Sequence, residues 1–235
     1  VNISGLNIID GAIKIGYCSC TATLSNVVIK DYNGKSNVIT TDFISKIICN
    51  NVIIKNCNNK NVVVGCQSSG TFNDVIIRGS SLHIFGVPGR FRGKTICNNV
   101  SISDSYSGIV TDSFSNVKCD NVKIEECVHG IEMKGGNLKC DNVKIENCRY
   151  GILMYMGEAH FYDVSVLNCI TGIEIKGGTL RLIGAETLFN DIRDAFTELS
   201  LSVIIIAFFI SRSVNRLIIK EEVFPLFETT IVSFF

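Results

Sequence analysis

Residues 119–182 repeat themselves every 21 residues. Cys127, Cys148 and Cys169 are 21 apart, and so are Gly130, Gly151 and Gly172, and Ile131, Ile152 and Ile173. Self-similarity at a fixed period of this length marks a solenoid, in which each repeat buries its apolar face only against its neighbours. Taking Val122 as position zero, the same place is held by Leu6, Val27, Val52, Val75, Val100, Val143 and Val164 in the other coils. Position plus-two holds Ile8, Ile29, Ile54, Ile77, Ile102, Ile124, Ile145 and Val166. Position minus-three holds Ile3, Leu24, Cys49, Phe72, Cys97, Cys119, Cys140 and Phe161. Spacings between coils run 21, 25, 23, 25, 22, 21 and 21, so the extra residues must leave as loops.

Zero and plus-two share a parity and point to one side of a strand, whereas minus-three has the opposite parity. A bend between them lets all three columns face inward. The residue before position zero is Asn26, Asn51, Asp74, Asn99, Asn121, Asn142 or Asp163, with Gly5 in the first coil. These residue types tolerate the left-handed backbone such a bend needs. The stacked amides of Asn26, Asn51, Asn99, Asn121 and Asn142 are placed to hydrogen-bond from coil to coil. A second bend is expected at Gly130, Gly151 and Gly172, and a third at Gly135-Gly136, Gly157 and Gly177-Gly178. Short strands separated by bends describe a coil of parallel β-structure. The leucine-rich alternative needs several Leu per repeat, and here Val and Ile fill the strand columns.

The chain is therefore expected to be all-β, a parallel β-helix of about eight to nine coils over residues 1–189. Residues 190–235 are expected to form a C-terminal cap or apolar tail, helical in part from Asn190 or Asp191. Leu199 to Ile210 carries ten apolar residues in twelve, too short a run to cross a bilayer, which needs about 20. A cap over the last open coil and a contact surface for a partner are both consistent with this tail. The chain begins at Val1 in repeat phase and so reads as a fragment or a processed product.

Zero formal net charge argues against general nucleic-acid binding, which depends on clustered positive charge. Trp is absent, so any aromatic platform for a sugar must come from Tyr or Phe. Eight of the 11 cysteines fall in two columns: Cys49, Cys97, Cys119 and Cys140, and Cys57, Cys127, Cys148 and Cys169. A ladder of buried thiols is favoured over cross-coil disulfides, although neighbouring coils would allow the latter. No cysteine or histidine spacing suits a metal, and no cofactor is expected.

The most distinctive loop is Gly86-Val87-Pro88-Gly89-Arg90-Phe91-Arg92-Gly93-Lys94. Arg90, Arg92 and Lys94 with Phe91 can grip a carboxylate-bearing sugar, a phosphate or a sulfate; the plainer reading is a solvated loop. His83 falls at a bend column otherwise held by Gly, and His129 precedes Gly130. Neither, nor His160, is grouped with acids in the sequence. Asp74, Asp104 and Asp112 are scattered, and the Lys123/Lys144 and Glu125/Glu146 columns read as exposed charge ladders.

The Asn-Val-x-Ile…Cys-x-x-Gly-Ile-x-x-x-Gly-Gly units over roughly residues 1–185 resemble the right-handed parallel β-helix of the pectin-lyase-like superfamily. Coils such as Gly130-Ile131-Glu132-Met133-Lys134-Gly135-Gly136-Asn137-Leu138 are similar to passenger domains of bacterial autotransporters. That resemblance implies a secreted or surface-displayed protein that binds a carbohydrate or a host or cell-surface protein. The same superfamily includes polysaccharide lyases and glycoside hydrolases. Their polygalacturonase segments (Asn-Thr-Asp, Asp-Asp, Gly-His-Gly, Arg-Ile-Lys) and the pectate lyase Arg-x-Pro-x-x-Arg segment do not occur here. A binding protein without catalysis is thus the first expectation, and a divergent enzyme acting on acidic polysaccharide the second.

Overall fold

The computed structural model describes residues 1–16, 19–42, 44–58, 60–65, 68–86 and 94–183, and three short strands beyond them. Among the described residues there is no helix. Parallel strands stack as a β-solenoid of about eight turns.

Each coil contributes one long and one short strand. The long strands form a 12-stranded sheet that includes Thr21–Lys30, Lys46–Lys55, Ser69–Arg78, Lys94–Ser103, Asn116–Glu125, Asn137–Glu146 and Glu158–Leu167, in sequence order. The short strands form a nine-stranded sheet from Ile13–Ile15 through Leu82–Ile84, Ser107–Thr111, His129–Met133 and Tyr150–Met154 to Thr171–Ile175 and Ile192–Asp194. Pairing is in register with the repeat: Val100 lies opposite Val122, Val122 opposite Val143, and Val143 opposite Val164.

The long strands are bent where the column parities require. Asn26, Asn51, Asp74, Asn99, Asn121, Asn142 and Asp163 all have φ between 49° and 54°, and Gly5 has φ 64°. Burial resets there. In Asn137–Glu146, Leu138 and Cys140 point inward, Asp141 and Asn142 are exposed, and Val143 and Ile145 point inward again. The bend amides bridge the coils: Asn51 Nδ2 donates to Asn26 Oδ1 (2.8 Å), Asn121 to Asn99 (2.7 Å) and Asn142 to Asn121 (3.3 Å), and Asn99 donates to Asp74 (3.0 Å). A second amide row runs one residue earlier, from Asn98 to Asn73 and from Asn73 to Asn50, each 2.8 Å.

The second bend is not at Gly130, Gly151 and Gly172. Those glycines lie inside short strands. The left-handed residues of this bend are four positions after zero: Asp10, Asp31, Asn56, Gly79, Asp104, Glu126, Asn147 and Asn168. What demands glycine at 130 is space. A Cβ there would sit 2.5 Å from both the Gly151 carbonyl oxygen and Ile145 Cγ2. The third bend is where glycine was expected, with φ 81° at Gly136, 104° at Gly157 and 99° at Gly178.

From the coil of Leu24 onward the core is one continuous stack of the three apolar columns, to which the short strands add Leu82, Ile109, Ile131, Ile152 and Ile173, whereas Leu6 of the first coil is exposed. In the minus-three column Phe72 lies between Cys49 and Cys97, and Phe161 follows Cys140. In this column small polarizable thiols pack beside large rings. Cys49, Cys57, Cys97, Cys119, Cys127, Cys140, Cys148 and Cys169 are free thiols. Burial pushes Cys49 up to about 12, and all four thiols of this column are fully buried and pack as small hydrophobes.

On the outer face of the long-strand sheet Lys123 pairs with Glu125 (2.6 Å) and Lys144 with Glu146 (2.8 Å), within their own strands. Beyond residue 189, Ile192–Asp194 adds a strand to the short-strand sheet where a helix was expected, and Ile204–Ile205 pairs with Thr179–Ile183. The expected cap and tail over the remainder of 190–235 lie outside the described residues. No helix of the described residues is long and apolar enough to cross a membrane.

Candidate binding surface on the outer face

Gly130 and Ile131 both face the interior, the first over Ile145 and the second in the core. This breaks the alternation of the short strand and leaves His129 and Glu132, three residues apart, side by side on its outer face. Register then sets Ser107, His129, Tyr150 and Thr171 in one row, and Val110, Glu132, Leu153 and Glu174 in another.

Ser107 Oγ donates to Glu132 Oε2 (3.1 Å) and lies 3.3 Å from His129 Nδ1. His129 Nδ1 is 3.7 Å from the same carboxylate oxygen, and Lys134 Nζ is 3.2 Å from Oε1. Glu132 is only 7% exposed and His129 9%, so this is a covered polar network on the outside of the coil. Burial holds His129 below its usual value, with the Glu132 carboxylate opposing and Lys134, Arg149 and Lys176 assisting. Ser107 is 2% exposed and shares one ring nitrogen with the acid. It therefore lacks both the access and the geometry of an activated nucleophile, in which base and orienting acid sit at opposite ring nitrogens. The network holds the imidazole in place.

What it holds in place is an aromatic rim. Tyr106 meets the His129 ring edge-on (5.2 Å between centroids, 88°), and His129 lies 5.4 Å from the Tyr150 ring. The Arg149 guanidinium lies 5.5 Å from the Tyr150 centroid. Tyr106 is 61% exposed. The rim borders a broad, open depression of about 660 Å³ at the second bend, lined among others by Asp104, Tyr106, Glu126, Cys127, Asn147 and Arg149. One aromatic ring (Tyr106), a planar cation, two carboxylates and an amide thus line one concavity. Further along the same outer face, Lys176 pairs with Glu174 (3.2 Å) and sits 4.9 Å above the Tyr155 ring.

One histidine, His83, is placed differently from the sequence expectation. His83 pairs with Val110, in the row of Glu132, and not with the glycine column. Its Nε2 is 2.8 Å from Asp112 Oδ2, and its ring meets Phe85 edge-on at 5.9 Å. His160 Nε2 is 2.8 Å from Glu158. Each histidine therefore has a carboxylate partner, supplied by the next coil or by its own strand. The scattered acids do not converge: Asp74 accepts at the first bend, Asp104 binds Ser103 Oγ (2.8 Å) at the second, and Asp112 holds His83. Among the described residues no group of three or more His, Cys, Asp or Glu is placed to hold a metal.

Of the loop singled out in the sequence, Arg90, Phe91 and Arg92 lie outside the described residues. Lys94 is the exposed first residue of Lys94–Ser103, opposite Asn116. Tyr106, His129, Glu132, Arg149 and Tyr150 were not singled out as a group. The available signal was the shared phase of residues 107, 129, 150 and 171. Compared with protein-family models, with curated proteins and with solved structures, the chain gives no match in any of the three.

Proposed function

We propose that this solenoid is a recognition rod that binds a carbohydrate, or the glycan of a cell-surface partner, along its outer face without chemical turnover. The observation that carries the reading is the Tyr106–His129–Tyr150 rim beside Arg149 and the acid-lined depression. The apolar faces of sugar rings stack on aromatic side chains, while carboxylates, amides and guanidinium groups take up the hydroxyls. The neighbouring Lys–Glu pairs keep the rest of the face solvated. An exposed surface of this kind suits a displayed or secreted protein, as the resemblance to autotransporter passenger domains implies. The resemblance to the pectin-lyase-like superfamily belongs to the same proposal.

A second reading is a divergent enzyme acting on acidic polysaccharide. The paired His83 and Asp112 on the same face favour it, because a histidine oriented by a carboxylate is a common general base. One experiment separates the two. The purified chain is screened on acidic and neutral glycans, with released sugar assayed in the same wells. A Tyr106→Ala/Arg149→Ala double variant and an Arg90→Ala/Arg92→Ala double variant are run alongside. Binding that the first variant loses, without released sugar, supports recognition at the rim. Binding lost only in the second variant moves the site to the 90–94 loop. Unsaturated or reducing sugar in the wild-type wells overturns the non-enzymatic reading.

A further inference from the structure

Two thiol columns run along this rod, and three members of the second, Cys127, Cys148 and Cys169, retain 5%, 3% and 7% exposure, whereas its Cys57 retains none. Cys49, Cys97, Cys119 and Cys140 face the sealed core and are 0% exposed. Cys127, Cys148 and Cys169 stand one residue after the second bend, at the corner between the two sheets, and Cys127 lines the open depression. Neighbouring coils are joined by backbone hydrogen bonds at this column. Arg149 N donates to Cys127 O (3.1 Å), and Ile170 N to Cys148 O (3.2 Å). Cys127, Cys148 and Cys169 therefore hold the same place in three successive coils, each one residue after its bend residue. Adjacent strands stand about 4.8 Å apart, inside the roughly 4.4–6.8 Å between Cα atoms that a disulfide spans. The same column puts all three Cβ atoms on one side.

We propose that Cys127, Cys148 and Cys169 form an oxidisable thiol row that reacts with low-molecular-weight disulfides and stores one cross-coil disulfide bond. Cys127 begins the reaction because it borders the depression and is hydrogen-bonded by Ser105 Oγ (3.2 Å). The Cys148 thiol draws Cys127 down to about 7 against the burial that raises it, while Cys148, between two thiols, is raised. The outer members of the row are thus the readier thiolates. In the first step the Cys127 thiolate attacks one sulfur of the small disulfide RSSR, forming Cys127–S–S–R and releasing RS⁻. In the second, Cys148 loses its proton to solvent and attacks Cys127 Sγ, forming the protein disulfide and releasing a second RS⁻. Two thiols are oxidised and one RSSR is reduced to two RSH. Cys169 remains reduced and can take over the bond by attacking Cys148 Sγ, which frees Cys127.

The test uses the full chain, reduced, desalted and incubated with oxidised glutathione. It is then alkylated in the native state, denatured, alkylated with a second reagent and mapped after trypsin. Cleavage after Lys123, Lys134, Lys144, Arg149 and Lys176 puts the three cysteines on separate peptides, 124–134, 145–149 and 150–176. The expected product is one disulfide joining 145–149 to either neighbour, formed at least roughly tenfold faster than any modification of the core thiols. Cys148→Ser is expected to hold glutathione on Cys127 without a Cys127–Cys169 link, because two coils lie about 9.6 Å apart. Cys169→Ser, which leaves the reacting pair intact, should still form Cys127–Cys148. A glutathione adduct persisting on Cys127 in the wild type, or row thiols reacting no faster than core thiols, would overturn the proposal. So would a cross-link in Cys148→Ser.

Discussion

Asn121 allows the two roles of a bend residue to be measured separately. Its φ of 52° places it in the left-handed region. Its amide donates to Asn99 (2.7 Å) and accepts from Asn142 (3.3 Å). Alanine loses both roles. The left-handed conformation costs an ordinary L-residue about 1–2 kcal/mol, and two exposed amide bonds, each at the low end of the usual net value, contribute about 1 kcal/mol together. Asn121→Ala should therefore destabilise by about 2–3 kcal/mol. Glycine adopts the conformation freely, so Asn121→Gly loses the ladder and about 0.5–1 kcal/mol of backbone entropy, for a total of about 1.5–2 kcal/mol. The expected order is Asn above Gly above Ala. Urea titration gives the global values. Amide exchange at Val122, Val143 and Val100 shows whether the loss is confined to adjoining coils, as expected of a stack with nearest-neighbour coupling. If the alanine variant proves as stable as the glycine variant, backbone conformation is not what selects Asn here, and the account of the bend fails.

Gly151→Ala would place a Cβ 2.5 Å from the Gly172 carbonyl oxygen and against Val166 Cγ1, so a loss of about 2–3 kcal/mol is expected, and a urea midpoint within error of wild type would contradict the close-approach argument. Phe161→Ala removes a ring that is 1% exposed and should cost about 3–5 kcal/mol by the same titration; a loss below 1 kcal/mol would mean the coil collapses around the gap. His129 has its pKa lowered in the fold, chiefly by burial. The unfolded chain therefore binds its proton at the higher pH, and this contribution to stability is complete above the ordinary His value near 6.5 and is lost as pH falls from there toward the folded value. Urea midpoints at pH 7.5 and 5.5 should differ less in His129→Gln than in wild type, and equal differences would refute the assignment.

Much of the fold is legible because a solenoid writes each structural constraint eight times. The parity conflict between minus-three and zero demanded a bend, and only Asn, Asp and Gly stand there. The second bend was equally repeated, but Glu126 and the mixture of Asp, Asn and Gly in its column drew less notice than the glycine column that follows. Gly130 and Gly151 show why composition misled. A glycine kept for space and a glycine kept for its backbone are the same letter, and only the carbonyl of the next coil tells them apart. The outer-face network was hidden for another reason. Ser107, His129 and Tyr150 are neighbours only after each coil is laid on the last, and Glu132 joins them only because two successive residues turn inward. Phase carried the first fact. Nothing in the local pattern carried the second.

The identical 21-residue offsets from Val122 to Val143 and from Val143 to Val164 make this part of the rod a material that can be shortened by whole units. Removing residues 137–157 would join Gly136 to Glu158, whose amide already donates to the Gly136 carbonyl (2.9 Å). Everything downstream would move by about 4.8 Å along the axis without changing which column any side chain occupies. Excision of the 25-residue coil from Val75 to Val100 lacks this symmetry, because its length differs from the 21-residue step. Length in the regular segment is thus quantised, and any ligand spanning several coils would meet a surface whose landmarks can shift only by whole steps.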